Sequence, residues 1–449
     1  MKKIMKSYFL AMMMFALISS TAMAQKSLAT MTGQPDPSSM TGGLGLTWIN
    51  GQEYYLINFA PDLAFGKFGF GLDVNLLISS SDQKIRKAGF DSTAYDYVRM
   101  IRYVRWGHKG DDVYARLGVL DYSQLGHGFI MYLYNNSPSY DDRRLGTEFD
   151  LNFGKYGLET VYSDFARLGV VGLRAHVNPF QFTTISSIPV IGKFEIGATW
   201  AGDLRRDSKD TGYTMVNGVP TTSNDGAISI VGADLGFPLV RVPTVSSTLY
   251  ADYAKILSFG SGEAVGLQTD FSGMGLLNIF TKFERRFNGE KFIADYFDTF
   301  YELDRYELAG TVFSSKAQML DNATTAEAGY FGDLTIAILG KLQIRGTYSK
   351  LDNVDTSGTL HIGTSTGNML PIFILDAGYD KKYIKNNKDV FTLDERSLLH
   401  ASIGYKPYPF MIVSMLYLWT FVPVVDANGN TSFATQKRVE PKVSIVFPL

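Results

Sequence analysis

From residue 41 onward the chain is a succession of stretches, 9 to 14 residues long, in which apolar and polar positions alternate with period two. Turns containing Gly, Asn, Asp or Ser separate them. Phe68 to Ser79, FGFGLDVNLLIS, is the clearest case. Phe68, Phe70, Leu72, Val74, Leu76 and Ile78 share one face, while Gly69, Gly71, Asp73, Asn75 and Ser79 lie mostly on the other. A short hairpin sign precedes it, Gly66-Lys67 followed by an aromatic residue. The sign returns at Gly154-Lys155-Tyr156 and Gly192-Lys193-Phe194, and with an aliphatic residue at Gly340-Lys341-Leu342. Glycine supplies the positive φ of a tight turn and lysine points to water. The spacings of 88, 38 and 148 residues are irregular, so the recurrence is shared turn chemistry and excludes a propeller or solenoid repeat.

Parity orders these strands. With the Gly-Lys hairpins on the short-turn side, 18 strands fit between residues 41 and 447, and both chain ends fall on that same side. The long segments 80-96, 122-144, 204-225, 286-325 and 352-396 all fall opposite. Two connections fit poorly: the short Asn50-Gly51 hairpin on the long-loop side, and Pro179 to Ile191 on the short-turn side. Segment 369-383, NMLPIFILDAGYDKK, is strand-like and would add a hairpin pair, giving 20.

The two faces differ in chemistry. Phe194, Ile196, Ala198 and Trp200 lie on one face, as do Leu342, Ile344 and Tyr348, and Val443, Ile445 and Phe447. The opposite face carries Glu195, Thr199 and Asp203, then Gln343, Arg345, Thr347 and Ser349, then Lys442 and Ser444. In lipid every backbone donor must be paired, so only a closed sheet can span with strands. Strands near ten residues, with short turns on one side and long loops on the other, predict an all-β fold, a transmembrane antiparallel up-and-down β-barrel of about 18 strands (16-20). The final VSIVFPL resembles the terminal strand of bacterial outer-membrane barrels, which usually closes on an aromatic residue; here Pro448-Leu449 follows Phe447. The resemblance is one of class. It implies a porin-like barrel in outer-membrane lipid, assembled by the barrel-assembly machinery of a diderm bacterium.

Residues 1-24 read as a cleaved signal peptide. Lys2, Lys3 and Lys6 form a positive start, Tyr8 to Ile18 an apolar core, and Ala22-Met23-Ala24 a small-residue cleavage site. Residues 25-40, with Pro35 and Pro37, read as a flexible periplasmic leader, too short for a plug domain, and 41-449 as the barrel. Phe410 to Val425 is the best candidate for a spanning helix, but at 16 residues with Pro423 near its end it reads as a strand. Composition agrees with this picture. The 449 residues are 14% aromatic and 19% charged, with 44 Gly, 31 Phe and 26 Tyr. Zero cysteine excludes a disulfide scaffold, a thiolate metal site and a cysteine nucleophile. Losing Lys2, Lys3 and Lys6 takes the formal charge from -2 to -5, which gives no footprint for nucleic acid.

Charge is densest in YVRMIRYVRWG, residues 97-107. On a strand over 97-106, Tyr97, Arg99, Ile101, Tyr103 and Arg105 point inward. Arg102 breaks the pattern, by snorkelling or through a bulge. Arg99, Arg105 and Arg116 then face Glu148, Asp150 and Glu159, with Glu195 and Arg345 further round, as candidate pore-lining residues. Such a transverse field sets ion preference in an open lumen; the same groups also suit a filled interior of arginine-carboxylate pairs. Phe292, Tyr296 and Phe300 stand at helical spacing in the longest loop. They predict a short helix that constricts the pore, binds a solute, or packs the loop on the rim.

Ser123, His127 and Asn135 or Asn136 carry the residue types of a hydrolase relay without a diagnostic spacing, and Gly126-His127-Gly128 reads as a turn folding the loop into the mouth. His108, His176, His361 and His400 are scattered, and Asp111-Asp112 and Asp141-Asp142 read as turn residues, so no metal or other cofactor is expected. The chain is read as a non-enzyme, an outer-membrane channel for small hydrophilic solutes or ions through a charged lumen. The alternative is a surface-binding or structural barrel with a filled lumen, and the weakest reading is an outer-membrane hydrolase. No feature specifies an oligomer.

Overall fold

The computed structural model describes residues 39-448, apart from 87-93, 138-142, 167, 189, 207, 210-212, 217-218, 223-225, 273-275, 310-311, 340-341, 367-369, 395 and 426-430. The expected signal peptide and nearly all of the expected leader lie outside the described residues.

Antiparallel strands run around a ring. The first five are β1 (Ser39–Ile49), β2 (Gln52–Phe65), β3 (Phe68–Leu72 and Val74–Ser79, broken at Asp73), β4 (Ile101–Trp106) and β5 (Val113–Gly118). The next five are β6 (Gly146–Asn152), β7 (Tyr156–Tyr162), β8 (Val170–Val177), β9 (Glu195–Asp203) and β10 (Ile228–Val242). Then come β11 (Val245–Ile256), β12 (Ser261–Phe271), β13 (Leu277–Asn288), β14 (Glu327–Ile338) and β15 (Leu342–Leu351). The last are β16 (Gly358–Ser365), β17 (Phe373–Ile384), β18 (Ser397–Tyr408), β19 (Met411–Val425) and β20 (Thr431–Pro448). β1 pairs with β20, Met40 opposite Phe447 and Leu44 opposite Val443, so the sheet has no free edge. The ring holds 20 strands, the upper end of the expected range; the added pair is β16-β17, one strand of which overlaps segment 369-383.

Side chains alternate as the pleat requires. Ile196, Val265, Phe283, Leu334, Ile344 and Val443 are exposed on the outer face. Phe65, Phe68, Trp106, Phe153, Tyr156, Tyr408 and Phe410 collect near the rim that holds the chain ends, while Tyr253, Phe287 and Tyr330 lie toward the other. Three of the four Gly-Lys pairs sit in connections on the chain-end rim; the fourth falls on 340-341, outside the described residues. Asn50 and Gly51 have φ of 52° and 82°, the two positive values of a tight two-residue hairpin, so this turn is short although it lies on the long-loop rim. Residues 178-194 close the other exception with three 3-10 turns.

Two expectations are corrected. Residues Ala94–Val98 form a short helix, and strand β4 begins only at Ile101, because the Arg99 and Met100 amides bond back to Tyr95 and Tyr97. Tyr97 and Arg99 therefore stand on the long-loop side of the wall and not in it. In 289-326, Phe292, Tyr296 and Phe300 share no helix. Lys291 and Asp295 have φ of 57° and 50°. The amides of Asp295 and Phe297 bond to the carbonyls of Phe129 and Ile130 in another loop. Tertiary partners thus take the donors that a helix would have used, and among the described residues of this loop helix is confined to Tyr301–Asp304 and Lys316–Asn322.

The hydrophobic core lies inside the ring. Loop 119-145 contributes Leu120, Leu125, Phe129, Ile130, Met131 and Tyr134; loop 289-326 contributes Phe292, Tyr296, Phe297, Tyr301, Ala317 and Leu320. They pack on Val161, Val170, Ala201, Ile228, Ile230, Ala254, Ile256 and Ala264 of the wall. The two loops therefore fill the part of the lumen beside β7 to β12.

Candidate functional site: the charged lumen

Small polar residues and charges at every second position face inward, and the inserted loops bury many of them. Arg174 on β8 is a hub: Nη1 donates to Glu159 at 2.7 Å, Nη2 to Glu195 at 2.8 Å, and Nε and Nη2 to Asp234 at 3.0 and 2.6 Å. Glu284 on β13 is a second hub. It is fully buried between Lys282 at 2.7 Å and Arg286 at 2.6 Å, and it accepts from the Tyr250 hydroxyl at 2.7 Å. Arg345 on β15 pairs with Asp333 on β14, and both meet the Tyr132 hydroxyl from loop 119-145. Of these residues, sequence reasoning missed Arg174, Asp234, Lys282, Glu284, Arg286 and Asp333. Their signal was a charge on the inward parity of a strand with an apolar outer face.

The loops are tied into this network. Tyr134 and Arg144 both bond Glu302, and Arg305 pairs with Glu302 at 3.1 Å and with wall residue Asp203 at 3.0 Å. Burial alone would raise the Glu302 carboxyl; Arg305 and Arg144 outweigh it and hold the group below its ordinary range. The Gly126-His127-Gly128 turn does fold inward. The Gly126 amide donates to Glu159 at 2.8 Å, the His127 ring stacks on Tyr250 with centroids 4.0 Å apart, and Nδ1 lies 3.3 Å from Asp252. Ser123 makes no hydrogen bond with His127 among those described, and Asn136 is committed to the Leu120 amide and the Ser163 carbonyl. No relay assembles from these residues.

Each candidate pore-lining residue has a definite place. Arg105, Arg116, Glu148, Asp150, Glu159, Glu195 and Arg345 stand at inward positions of wall strands. Arg99 does not; its guanidinium lies over the Tyr95 ring, 5.7 Å from the centroid. Asp150 and Glu148 share Lys109, at 3.0 and 3.7 Å. Arg102 is the unmatched residue of a bulge, for Gly71 pairs with Tyr103 and Leu72 with Ile101. The bulge turns its guanidinium to Asp62. Phe292, Tyr296 and Phe300 are buried inside the ring. His361 and His400 face Asp380 and Asp376 at 2.7 and 3.1 Å, and His108 faces Asp111 at 3.6 Å. Among the described residues no three His, Asp or Glu side chains gather as a metal site. Asp141 and Asp142 lie outside them.

Between loop 289-326 and strands β13 to β17 a cavity of about 510 Å³ remains. Phe300, Phe331, Thr347, Ser349, Lys382 and Asp304 are part of its lining. Its charges are mostly matched: Lys316 with Asp298 at 2.9 Å, Arg286 with Asp295, and Lys382 with Asp304.

No protein-family model matches the sequence, and no curated protein matches it. Among solved structures, the chain is similar to OccK11 (OpdR) of Pseudomonas aeruginosa at 9% identity and a TM-score of 0.31, covering 92% of this chain and 95% of that one. OccK9 (OpdG) of the same organism is 11% identical with a TM-score of 0.33, covering 92% and 99%. The ferric enterobactin receptor PfeA of Pseudomonas aeruginosa, in the R480A form bound to enterobactin, is 10% identical with a TM-score of 0.32, covering 92% and 82%. The closed ring stands on its own strand register.

Proposed function

We propose that the chain is an outer-membrane channel for passive passage of small hydrophilic solutes or ions, exported with residues 1-24 as a cleaved signal peptide. The observation that supports it is the open cavity of about 510 Å³, where charged and hydroxyl side chains such as Lys382, Asp304, Thr347 and Ser349 stand among apolar ones such as Ile293, Phe300 and Leu360, inside a closed ring with an apolar outer face. A channel needs both an aqueous path and a wall that lipid tolerates. Loops 119-145 and 289-326 narrow that path, with Phe300 at its edge, and the chain-end rim faces the periplasm. The partners are outer-membrane lipid, the solute and, during biogenesis, the barrel-assembly machinery.

A second reading is a structural or surface-binding barrel with a filled lumen. The internal core and the matched hubs at Arg174 and Glu284 favour it. Single-channel recording of the refolded chain in a planar bilayer separates the two. The channel reading expects stepwise ohmic openings that grow when residues 290-305 are deleted. Silence from folded wild type and deletion alike leaves the filled barrel.

A further inference from the structure

The hubs described above share one rule: an inward arginine has a carboxylate in hydrogen-bonding contact. Arg105 departs from it. It is only 8% exposed, yet its one hydrogen bond among the described residues runs from Nη1 to the Gly107 carbonyl, and no carboxylate among those residues lies within ion-pair distance. A guanidinium left this way gives up hydration without gaining an ionic partner, an arrangement that is costly unless an anion completes it.

Its neighbour sharpens the point. The register places Arg116 directly opposite Arg105 on the adjacent strand. Like charges in one cross-strand pair are destabilising. The described carboxylate nearest Arg116 is Asp121 at 3.7 Å, and the Arg116 Nε is buried without a partner. Tyr103, two positions before Arg105 on the same strand, has the Arg116 and Arg102 guanidinium carbons 5.7 and 5.3 Å from its ring centroid. Gly69 and Gly71 form the floor. A methyl at Gly69 would meet Arg105 Nη2 at 3.0 Å, and one at Gly71 would meet the Tyr103 ring at 2.8 Å.

We propose that Arg105 and Arg116 form an oxyanion site in the lumen, taking the carboxylate or phosphate group of a small solute. A planar fork of donors matches such a group bidentately, and a bound anion removes both the missing partner and the like-charge repulsion. Asp62, Asp150 and Glu148 do not satisfy the need, since Asp62 serves Arg102 and Tyr103, and Asp150 and Glu148 serve Lys109. The site names a substrate class for the channel proposed above. It rests on that reading for passage, though not for binding.

The test uses the full barrel refolded in detergent and in planar bilayers, with Arg105→Gln, Arg105→Lys and Arg116→Gln, and heat-modifiable mobility as the folding check. Sodium succinate and inorganic phosphate are titrated calorimetrically, and reversal potentials are read in a KCl gradient. Wild type is expected to bind one or both anions and to prefer anions. Arg105→Gln is expected to weaken binding by about tenfold, the worth of a charge-assisted hydrogen bond, and to lower the anion preference, with Arg105→Lys between. Succinate binding alone assigns carboxylate, and phosphate binding alone assigns phosphate. Wild type that binds neither anion, or an Arg105→Gln barrel indistinguishable from it, overturns the site. If Arg105→Gln fails to fold, Arg116→Gln takes its place, with the same loss of binding expected and unchanged binding overturning the site. Conductance without anion binding leaves the channel and removes the site; binding without conductance does the reverse.

Discussion

The Tyr132 hydroxyl lies 2.8 Å from Nη2 of Arg345, joining a loop residue to a wall strand 213 positions further along the chain. The same hydroxyl donates to Asp333, and Lys282 Nζ sits 4.3 Å from the centroid of the Tyr132 ring. One side chain thus pins loop 119-145 to three strands.

Removing that hydroxyl separates anchoring from charge balance. Tyr132→Phe keeps the Arg345-Asp333 pair and is expected to cost about 1 to 2 kcal/mol. Arg345→Met leaves Asp333 as a buried carboxylate without its cation and is expected to cost about 3 to 5 kcal/mol. Urea unfolding of both variants from lipid vesicles, read by tryptophan fluorescence, gives the order; equal costs would show that the buried carboxylate does not depend on its cation.

The internal core predicts a sizeable cavity effect. Phe297 is fully buried, with ring centroids 5.3 Å from Tyr296 and 4.7 Å from Tyr301. Phe297→Ala is expected to destabilise loop insertion by about 3 to 5 kcal/mol. The barrel itself should persist, because its strand ladder is untouched. Protease accessibility of residues 289-326 in folded barrels should rise, while the strands remain protected.

Backbone conformation at the loop tip gives a third test. Gly128 has φ of +96°, and an added Cβ would lie 2.2 Å from Tyr132 Cδ2. Gly128→Ala is expected to cost about 1 to 3 kcal/mol through strain and to push the tip away from Asp252. The His127 ring, now stacked on Tyr250, should then become accessible to diethyl pyrocarbonate, from which its burial should protect it in the wild type.

On the long-loop rim, segment 385-396 carries an acid-sensitive clasp. Arg396 and the Lys385 amide hold Asp389 down to about 2. Asp394 is lowered too, with Lys381 and Arg396 outweighing its burial. A carboxyl depressed by folding stabilises fully above its unfolded value, near 3.8, and loses that contribution as pH falls through about 2. Pepsin should therefore cut this loop faster at pH 2 than at pH 4. In Arg396→Met it should cut readily at both.

Period two made the wall legible: the alternating stretch Phe68 to Ser79 is strand β3, broken only at Asp73, and the inward and outward sets of β9, β15 and β20 follow from alternation alone. β16 escaped because GTLHIGTS offers only Leu360 and Ile362 between Gly, Ser and Thr, which is also how a loop reads. Arg99 lies off the strand because Tyr97-Val98-Arg99-Met100, the end of a five-residue helix and the turn after it, carries the same apolar-polar alternation as the strand that follows. The lumen network was legible only in part. Its wall members announce themselves by parity, but their partners come from loops whose path is set by tertiary contact. One signal was present: Phe129 to Tyr134 is an unbroken apolar run in a segment too far from the strands to face lipid, so it had to be covered from within.

The inner core has a consequence for how the molecule is made. One half of it arrives with residues 119-145 and the other with residues 289-326, on either side of strands β6 to β13. A barrel growing strand by strand from its C-terminal end would hold Phe297 and Tyr301 uncovered until the N-terminal third closes the ring, and growth from the other end would leave Phe129 and Met131 waiting in the same way. The seating of the two loops therefore waits until both 119-145 and 289-326 are present, whichever end of the barrel grows first.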